Sequence, residues 1–304
     1  MLLSTILATL DVMLPVFLAI GLAVLFAKFI KVEARTLSQS VIYLFGPALI
    51  LNSLLSTEID PSALGSILMM SLVSTLVLVG IGWGIAKVLK LPHPMASTVM
   101  LAMSLGNTGS VGLPLAAFAF GAQGMQYAAV FYVTTTIFAN ILGVYIPSSA
   151  HSAFKDTMKR ILKVPMIYAA IIGIVLNLMG VRMPVFLERT TNLLGYAAIA
   201  VGIAFMGVRL ANMKLVGKLK PILIVSAARV MLTPLVGWLT ALMLNVNGLA
   251  RDVSILQISV PAALFTAMFS EEFGGDSELA SGIILLSSLL SLITLSLLIT
   301  LMIG

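Results

Sequence analysis

A run of helix-breaking residues interrupts an otherwise apolar segment near the first third of the chain. The run occupies residues 104–114 and reads Ser-Leu-Gly-Asn-Thr-Gly-Ser-Val-Gly-Leu-Pro. Its flanks are hydrophobic enough to cross a membrane, where lipid offers no partners to free backbone N–H and C=O groups. A broken helix at that depth is tolerated only where protein or a water-filled cavity covers it, and in transporters such breaks mark the site of a substrate or ion. The run therefore predicts a ligand site inside a membrane-spanning bundle.

The composition supports this interpretation. Hydrophobic residues make up 60% of the 304 residues and charged residues 9%, whereas a soluble domain carries about 25% charged residues. The first apolar stretch, residues 7–29, is too long for the core of a cleavable signal peptide and predicts a first transmembrane helix. Because the sequence contains no cysteine, disulfides and thiolate metal sites are excluded. We expect membrane lipid as a partner and no nucleic acid, no metal and no cofactor.

Windows of about 20 apolar residues predict an all-α polytopic membrane protein with ten transmembrane helices. The polar, basic connection at 148–164 is predicted to link two five-helix units, residues 1–147 and 165–304. The predicted helices are 8–29, 36–56, 62–89, 94–120, 124–147, 165–180, 190–211, 219–245, 252–271 and 277–303.

The basic residues predict an orientation for these helices. Loops on one side carry 13 of the 17 Lys and Arg residues, loops on the other side carry three, and Arg229 lies within a span. By the positive-inside rule the first side is cytoplasmic, so both termini are predicted to be extracytoplasmic.

The two units resemble each other at a nearly constant offset. Pro15 matches Pro165 at an offset of 150, and Phe120 matches Phe273 at an offset of 153. Since five helices is an odd number, the second unit is predicted to be inverted, as in many secondary transporters. The larger offset also brings the first break opposite Pro261, which lacks an N–H and predicts a second break, in helix nine. If helices four and nine cross at their breaks, two half-helix N-termini, each carrying about half a positive charge, favour an anion.

Four segments resemble the auxin efflux carrier family. Leu105-Gly-Asn-Thr-x-x-x-Gly-Leu-Pro-Leu115 resembles its fourth-helix motif. Residues 260–263, 272–281 and 286–294 resemble its ninth and tenth helices. The short connection after helix five is similar to that of the bacterial branch, whereas plant members carry a long hydrophilic insert there.

The resemblance implies a ten-helix fold similar to that of bile acid:sodium symporters. It implies a scaffold of helices one, two, six and seven, a moving core of helices three to five and eight to ten, a homodimer, and the bacterial inner membrane. In the family the fourth-helix asparagine, here Asn107, contacts the substrate carboxylate, and a second-helix asparagine, matched by Asn52, faces the site. Plant members have a proline where this chain has Gly106. Bacterial members are associated with small organic anions such as malonate or malate, which implies a mono- or dicarboxylate as substrate.

The candidate residues at the first break have two interpretations each. Asn107, Thr108 and Ser110 either bind substrate or cap the half-helices, and the two roles can coexist. The glycines either allow close approach of a ligand or allow helices to pack closely. The residues that we expect to break the helices are Gly106, Gly109, Gly112, Pro114 and Pro261.

Alternatives also remain open for the candidates outside the fourth helix. Gln257 and Ser259 either assist free carbonyls in binding a cation or substrate, or form hydrogen bonds between helices. Arg229 is roughly 13 Å deep, counted at 1.5 Å per residue from Lys220. It either attracts an anion into the core or binds carbonyls exposed at a break, and the second role is slightly favoured.

These observations predict a secondary transporter of a small organic anion that works by alternating access. The spans contain no cluster of nucleophiles, bases or metal ligands, which disfavours an enzyme. The sequence shows neither a ring of charged residues nor a carbonyl filter, so it gives no indication of a channel. Because no carboxylate is evident at the crossover, uniport is favoured, with proton- or sodium-coupled symport as the alternative.

Overall fold

A computed structural model describes residues 2–55, 61–147, 165–181, 183–212 and 219–303. Throughout these ranges the regular structure is helical apart from one isolated β-bridge, which confirms the predicted all-α class. The α-helices are α1 (Leu2–Phe29), α2 (Ala34–Ser40), α3 (Gly46–Leu55), α4 (Pro61–Val88), α5 (His93–Ser104), α6 (Leu113–Tyr145), α7 (Pro165–Leu178), α8 (Val185–Asn212), α9 (Leu219–Met243), α10 (Gly248–Ser259), α11 (Phe265–Phe273) and α12 (Ser277–Ile303). Two π-helical turns, Val41–Phe45 and Thr108–Gly112, join α2 to α3 and lead into α6.

Among the described residues, five helical segments are long and apolar enough to cross a membrane: Ser62–Val88, Thr108–Gly143, Val185–Asn212, Leu219–Met243 and Ser277–Met302. Shorter apolar helices lie at Leu14–Phe29, Val41–Leu55 and Pro165–Leu178. The fourth predicted span is divided into α5 and the 108–120 segment, and the ninth is divided into α10 and α11. The predicted linker, residues 148–164, lies outside the described residues.

The boundary between the fourth and fifth predicted helices is a bend and not a loop. The helical assignment runs without interruption from Leu113 to Tyr145, but Gly121 has φ +66° and ψ −156°. That region is open to glycine and costly for other residues. Gly121 therefore turns the chain back into the bundle between two spans that were predicted as separate helices.

The helices pack in two groups. Helices α1 and α3 pack against α8, and α3 also packs against α7. In the second group α4 packs on α5 and α6, α10 on α6 and α9, and α9 on α12. Contacts of α12 with α1 and of α6 with α3 join the groups. The interior is unusually polar for so apolar a chain, since serines and threonines of α4, α5, α9 and α12 are buried in the second group.

Candidate functional site

The first helix break lies at residues 105–107. Helix α5 ends at Ser104, and Leu105 is extended, with φ −94° and ψ 111°. Asn107 then starts the π-helical turn: its carbonyl accepts from the N–H groups of Val111 and Gly112, both at 3.2 Å. Its side-chain Oδ1 accepts from the Ser110 N–H at 3.3 Å. Asn107 therefore caps the second half-helix, as one of the two sequence-based interpretations describes.

The second break lies at residues 260–264. Helix α10 ends at Ser259, and Val260 is extended, with φ −63° and ψ 155°. The residue before a proline is driven from the helical region by the proline ring, and Pro261 itself has no N–H to continue a helix. The chain resumes as α11 at Phe265. The Ala262 N–H donates to the Ser287 hydroxyl of α12 at 3.2 Å, which satisfies a donor released by the break.

The two breaks lie side by side and hydrogen-bond to each other. The Asn107 N–H donates to the Pro261 carbonyl at 2.8 Å, and the Ala263 N–H donates to the Leu105 carbonyl at 2.9 Å. These bonds form an antiparallel bridge between Gly106 and Ala262. Inside a membrane a broken helix must find partners within the protein, and here each break supplies partners for the other.

Arg229 of α9 binds the carbonyl ends of both preceding half-helices. Its guanidinium is 1% exposed. It donates to the Met103 carbonyl of α5, to the Ile258 carbonyl at 3.2 Å, and to the Val260 carbonyl through Nη2 at 2.9 Å and Nε at 3.2 Å. Carbonyls in the last turn of a helix have no intrahelical partner and carry the negative end of the dipole. Arg229 thus neutralises two negative helix ends, in the carbonyl-binding arrangement that the sequence left as an alternative.

A pocket lies at the breaks, between the two groups of helices. The first residues of both second half-helices line it: Thr108, Gly109 and Ser110 on one side, Leu264 and Phe265 on the other. Opposite them lie the π-helical turn after α2 and one face of α8. Its hydrogen-bonding side chains are Asn107, Thr108, Ser110, Tyr132, Thr135 and Thr136, and none of the described residues that line it is charged.

The Asn107 amide is held only weakly in this pocket. Its Nδ2 lies 3.2 Å from the sulfur of Met206 on α8, and a thioether is a weak acceptor. The side chain is 7% exposed. A carboxylate is a much stronger acceptor for an N–H donor, so the amide hydrogens can be transferred to an anionic ligand at little cost.

The structure does not bring every sequence-predicted residue into the pocket. Gly106 and Gly109 line it, and Pro261 lies in the second break. Gly109 and Gly112 belong to the π-helical turn and Pro114 to the first turn of α6, so these three residues lie in helical structure and not in the break; a first turn accepts proline because its N–H needs no intrahelical partner. Val41 and Ile42 are the residues of the predicted second helix that line the pocket. Asn52 lies ten residues after Ile42, which corresponds to about 15 Å along a helix. The Asn52 Oδ1 instead accepts from the Thr191 hydroxyl at 3.4 Å.

Gln257 and Ser259 lie behind the crossover and not in the pocket. The Ser259 hydroxyl donates to the Ile255 carbonyl of its own helix at 2.6 Å. Gln257 is fully buried, and neither amide atom has a hydrogen-bond partner in the described part of the chain. It borders a small internal cavity that Ser74, Thr108 and Arg229 also line.

Several lining residues were not predicted from the sequence. Tyr132, Thr135 and Thr136 lie on α6, and the Thr135 hydroxyl is 3.2 Å from that of Thr108. The run of three threonines at 134–136 within an apolar span is a signal that can identify this part of the site. Gly202 and Phe205 of α8 stand in an apolar context that gives no comparable signal.

Comparison with known proteins places the chain among transporters. The model of a family described as membrane transport protein matches residues 8–157 and 146–299. An uncharacterized transporter of Methanothermobacter thermautotrophicus is 28% identical over 273 residues, which cover 87% of this chain and 88% of the relative. An uncharacterized transporter of Methanocaldococcus jannaschii is 25% identical over 274 residues, with the same coverage of both chains.

Proposed function

Because this chain belongs to the membrane transport protein family, the auxin efflux carrier-like family that its motifs predict, we propose that it is a secondary transporter of a small organic anion. The substrate is a mono- or dicarboxylate held at the pocket between the helix breaks. The protein is an integral inner-membrane protein that acts as a homodimer, with both termini extracytoplasmic.

The proposed architecture has ten spans in two inverted units, 1–147 and 165–304, joined by the 148–164 linker. In it α5 with the 108–120 segment forms the fourth span, α10 with α11 forms the ninth, and the two cross at their breaks. The bridge between Gly106 and Ala262 supports the crossing, since it joins the midpoints of two segments at corresponding places in the two units.

The anion assignment rests on a difference between the carbonyl ends and the N-terminal ends of the half-helices at the breaks. The carbonyl ends of α5 and α10 are bound by the buried Arg229 cation. The N-terminal ends of the following half-helices line a pocket with no acidic side chain among its described residues. Each free N-terminus carries about half a positive charge, so the pocket favours a negative ligand, which the Asn107 amide and neighbouring hydroxyls would orient.

The position of the pocket supports alternating access. One wall belongs to the group of α1–α3, α7 and α8, and the other to the group of α4–α6 and α9–α12. We assign these groups to the scaffold and the moving core. A displacement of the core against the scaffold would carry the anion, bound mainly to the breaks, from one side of the membrane to the other.

Uniport driven by the membrane potential and the substrate gradient fits the site better than coupled symport. The carbonyls at the breaks, which are the groups that would hold a coupling cation, already bind Arg229. Symport with a proton or sodium ion is the alternative, and it predicts that uptake requires the corresponding ion gradient.

Uptake into proteoliposomes tests the proposal. Labelled acetate, malonate, succinate and malate are offered beside neutral glycerol and cationic choline, with an imposed voltage and with sodium and pH clamped separately. We expect saturable uptake of at least one carboxylate, accelerated by an interior-positive potential and unchanged when sodium is removed. Uptake confined to glycerol or choline, or no uptake above empty liposomes, contradicts the anion assignment.

A further inference from the structure

A second, wider cavity adjoins the pocket. Ile42 lines both cavities, so they are neighbours that share one side chain, and we refer to the wider one as the vestibule. Three of its lining side chains carry formal charge: Arg209 from the end of α8, and Glu271 and Glu272 from the end of α11. The vestibule therefore has one basic residue on the scaffold wall and two acidic residues on the core wall, at the side that the basic loops predict to be cytoplasmic.

Arg209 contacts an aromatic ring, and one of its N–H donors has no hydrogen-bond partner among the described residues. Its guanidinium carbon lies 5.8 Å from the centroid of the Phe205 ring, within the range of a cation–π interaction. Its buried Nε has no hydrogen-bond partner in the ranges that the structure describes. A buried unmade hydrogen bond is costly unless another group completes it, and a carboxylate is the acceptor that best fits a guanidinium.

Arg209 is connected to the pocket through a single turn of α8. Phe205 and Met206 precede it by four and three residues, which places the three side chains on one face of the helix. Phe205 lines the pocket, and the Met206 sulfur contacts the Asn107 amide. The rise from Met206 to Arg209 is about 4.5 Å, so an anion released by Arg209 is one helical turn from Asn107.

We propose that Arg209, Glu271 and Glu272 form a charge filter at the vestibule, in which Arg209 captures the entering anion and the two glutamates compete with it. This inference rests on the proposed anion transport and adds residues that control access from one side. The glutamates lower the affinity of the vestibule for anions, so Arg209 holds its ligand loosely enough to pass it to the pocket. Since these charges lie near solvent, their effect is screened by salt.

The test compares the KM for labelled malonate, or for the best-carried acid of the panel, in vesicles of the two opposite orientations. From the vestibule side we expect Arg209→Gln to raise KM about tenfold with a similar Vmax, and Arg209→Lys to recover most of that loss. We expect Glu271→Gln combined with Glu272→Gln to lower KM from the same side. KM from the opposite side should change less than about twofold, because the pocket itself is intact.

The matched control is Lys87→Gln. Lys87 is a cation on the same predicted side that stacks on Trp83, 4.9 Å from the ring centroid, and does not line the vestibule. It removes one positive charge, as Arg209→Gln does, and should leave KM unchanged. Raising the salt concentration should raise KM for the wild type more than for Arg209→Gln.

Three results would overturn the filter while leaving anion transport in place. The first is an unchanged KM in Arg209→Gln, and the second is an equal rise in its KM from both sides. The third is a change in Vmax alone in the double glutamate variant, because that result would indicate a contact that locks the core to the scaffold. A wild type that carries no carboxylate of the panel would instead contradict the proposed function itself.

Discussion

The N–H of Asn107 donates to the carbonyl of Pro261 at 2.8 Å, across 154 residues of sequence. This bond joins the residue that caps one half-helix to the residue that ends another. It means that the two breaks form one structural unit, held by two main-chain hydrogen bonds on the side of the pocket and by Arg229 behind it. A substitution at either break should therefore alter the structure of both breaks.

Replacing Arg229 tests the part of this unit behind the breaks. Arg229→Met leaves the carbonyls of Met103, Ile258 and Val260 without their donor. At about 1 kcal/mol for each carbonyl, the low end of the cost of a buried unsatisfied group, the free energy of unfolding should fall by about 3 kcal/mol. Thermal unfolding in detergent measures the effect. Arg251→Met, at a half-exposed arginine paired with Asp252 at 2.8 Å, is the control and should change it by less than about 1 kcal/mol. Equal losses in the two variants would contradict the double-capping role.

Asn107 variants separate capping from ligand binding. Aspartate and serine both cap helices about as well as asparagine, so Asn107→Asp and Asn107→Ser should keep a melting temperature close to that of the wild type. The aspartate adds a negative charge to the pocket and removes the amide donor, so carboxylate uptake should fall at least about a hundredfold, as for a like charge placed beside an anion. The serine variant should retain more activity than the aspartate variant. Aspartate and wild-type proteins with the same uptake rate would exclude Asn107 from the site.

Gly106 is required by the close packing of the crossover. A Cβ at this position would lie 2.6 Å from Nη2 of Arg229 and 2.9 Å from a methyl of Val260. Gly106→Ala should therefore displace the guanidinium, lower the melting temperature and reduce transport. Gly80→Ala in α4 is the matched control, since a Cβ there meets nothing within 4 Å, and it should be neutral or stabilising by up to about 1 kcal/mol. A Gly106→Ala protein as stable as the control would show that the guanidinium has room to move.

Gln257 distinguishes uniport from cation coupling. Its amide is buried without a hydrogen-bond partner among the described residues, and such a group costs about 1–3 kcal/mol. Gln257→Met, which has a similar shape and no amide, should raise the melting temperature and retain carboxylate uptake in sodium-free buffer. Loss of uptake with preserved folding, or recovery of uptake by added sodium, would favour a cation site at Gln257 and the symport alternative.

The breaks were predictable from sequence because their cause is local. The first broken helix is interrupted where Gly106 and Asn107 adjoin each other, and Pro261 drives Val260 out of the helical region whatever surrounds it. The burial of Arg229 was predictable for a similar reason, since a charge in the middle of an apolar span must find partners within the protein.

The orientation of side chains was not predictable in the same way. Residues that face lipid and many residues that face protein are both apolar in this chain, so hydrophobicity alone does not give the inner side of a helix. Helix α9 is an exception, because Ser226, Arg229 and Thr233 mark a buried polar face at helical spacing. Gln257 and Ser259 were placed near the right break, but which side of the crossover they face depends on packing. Asn52 was matched by resemblance, and its distance from the pocket depends on which part of that predicted helix, here Val41 and Ile42, lies at the breaks. The positions of Gly202 and Phe205 in the pocket depend on how α8 packs against the breaks, which the sequence does not indicate.

Solid-supported membrane currents measure the central claim most directly, because they report both ligand charge and translocation. Proteoliposomes of the wild type and of Asn107→Asp receive a jump in carboxylate concentration in sodium-free buffer at constant pH. We predict that the wild type gives a saturable current with the sign of negative charge entering the vesicle and that the aspartate variant gives none. A wild-type current that requires sodium or has the opposite sign, or an undiminished current in Asn107→Asp, would contradict an anion uniporter with its site at the helix breaks.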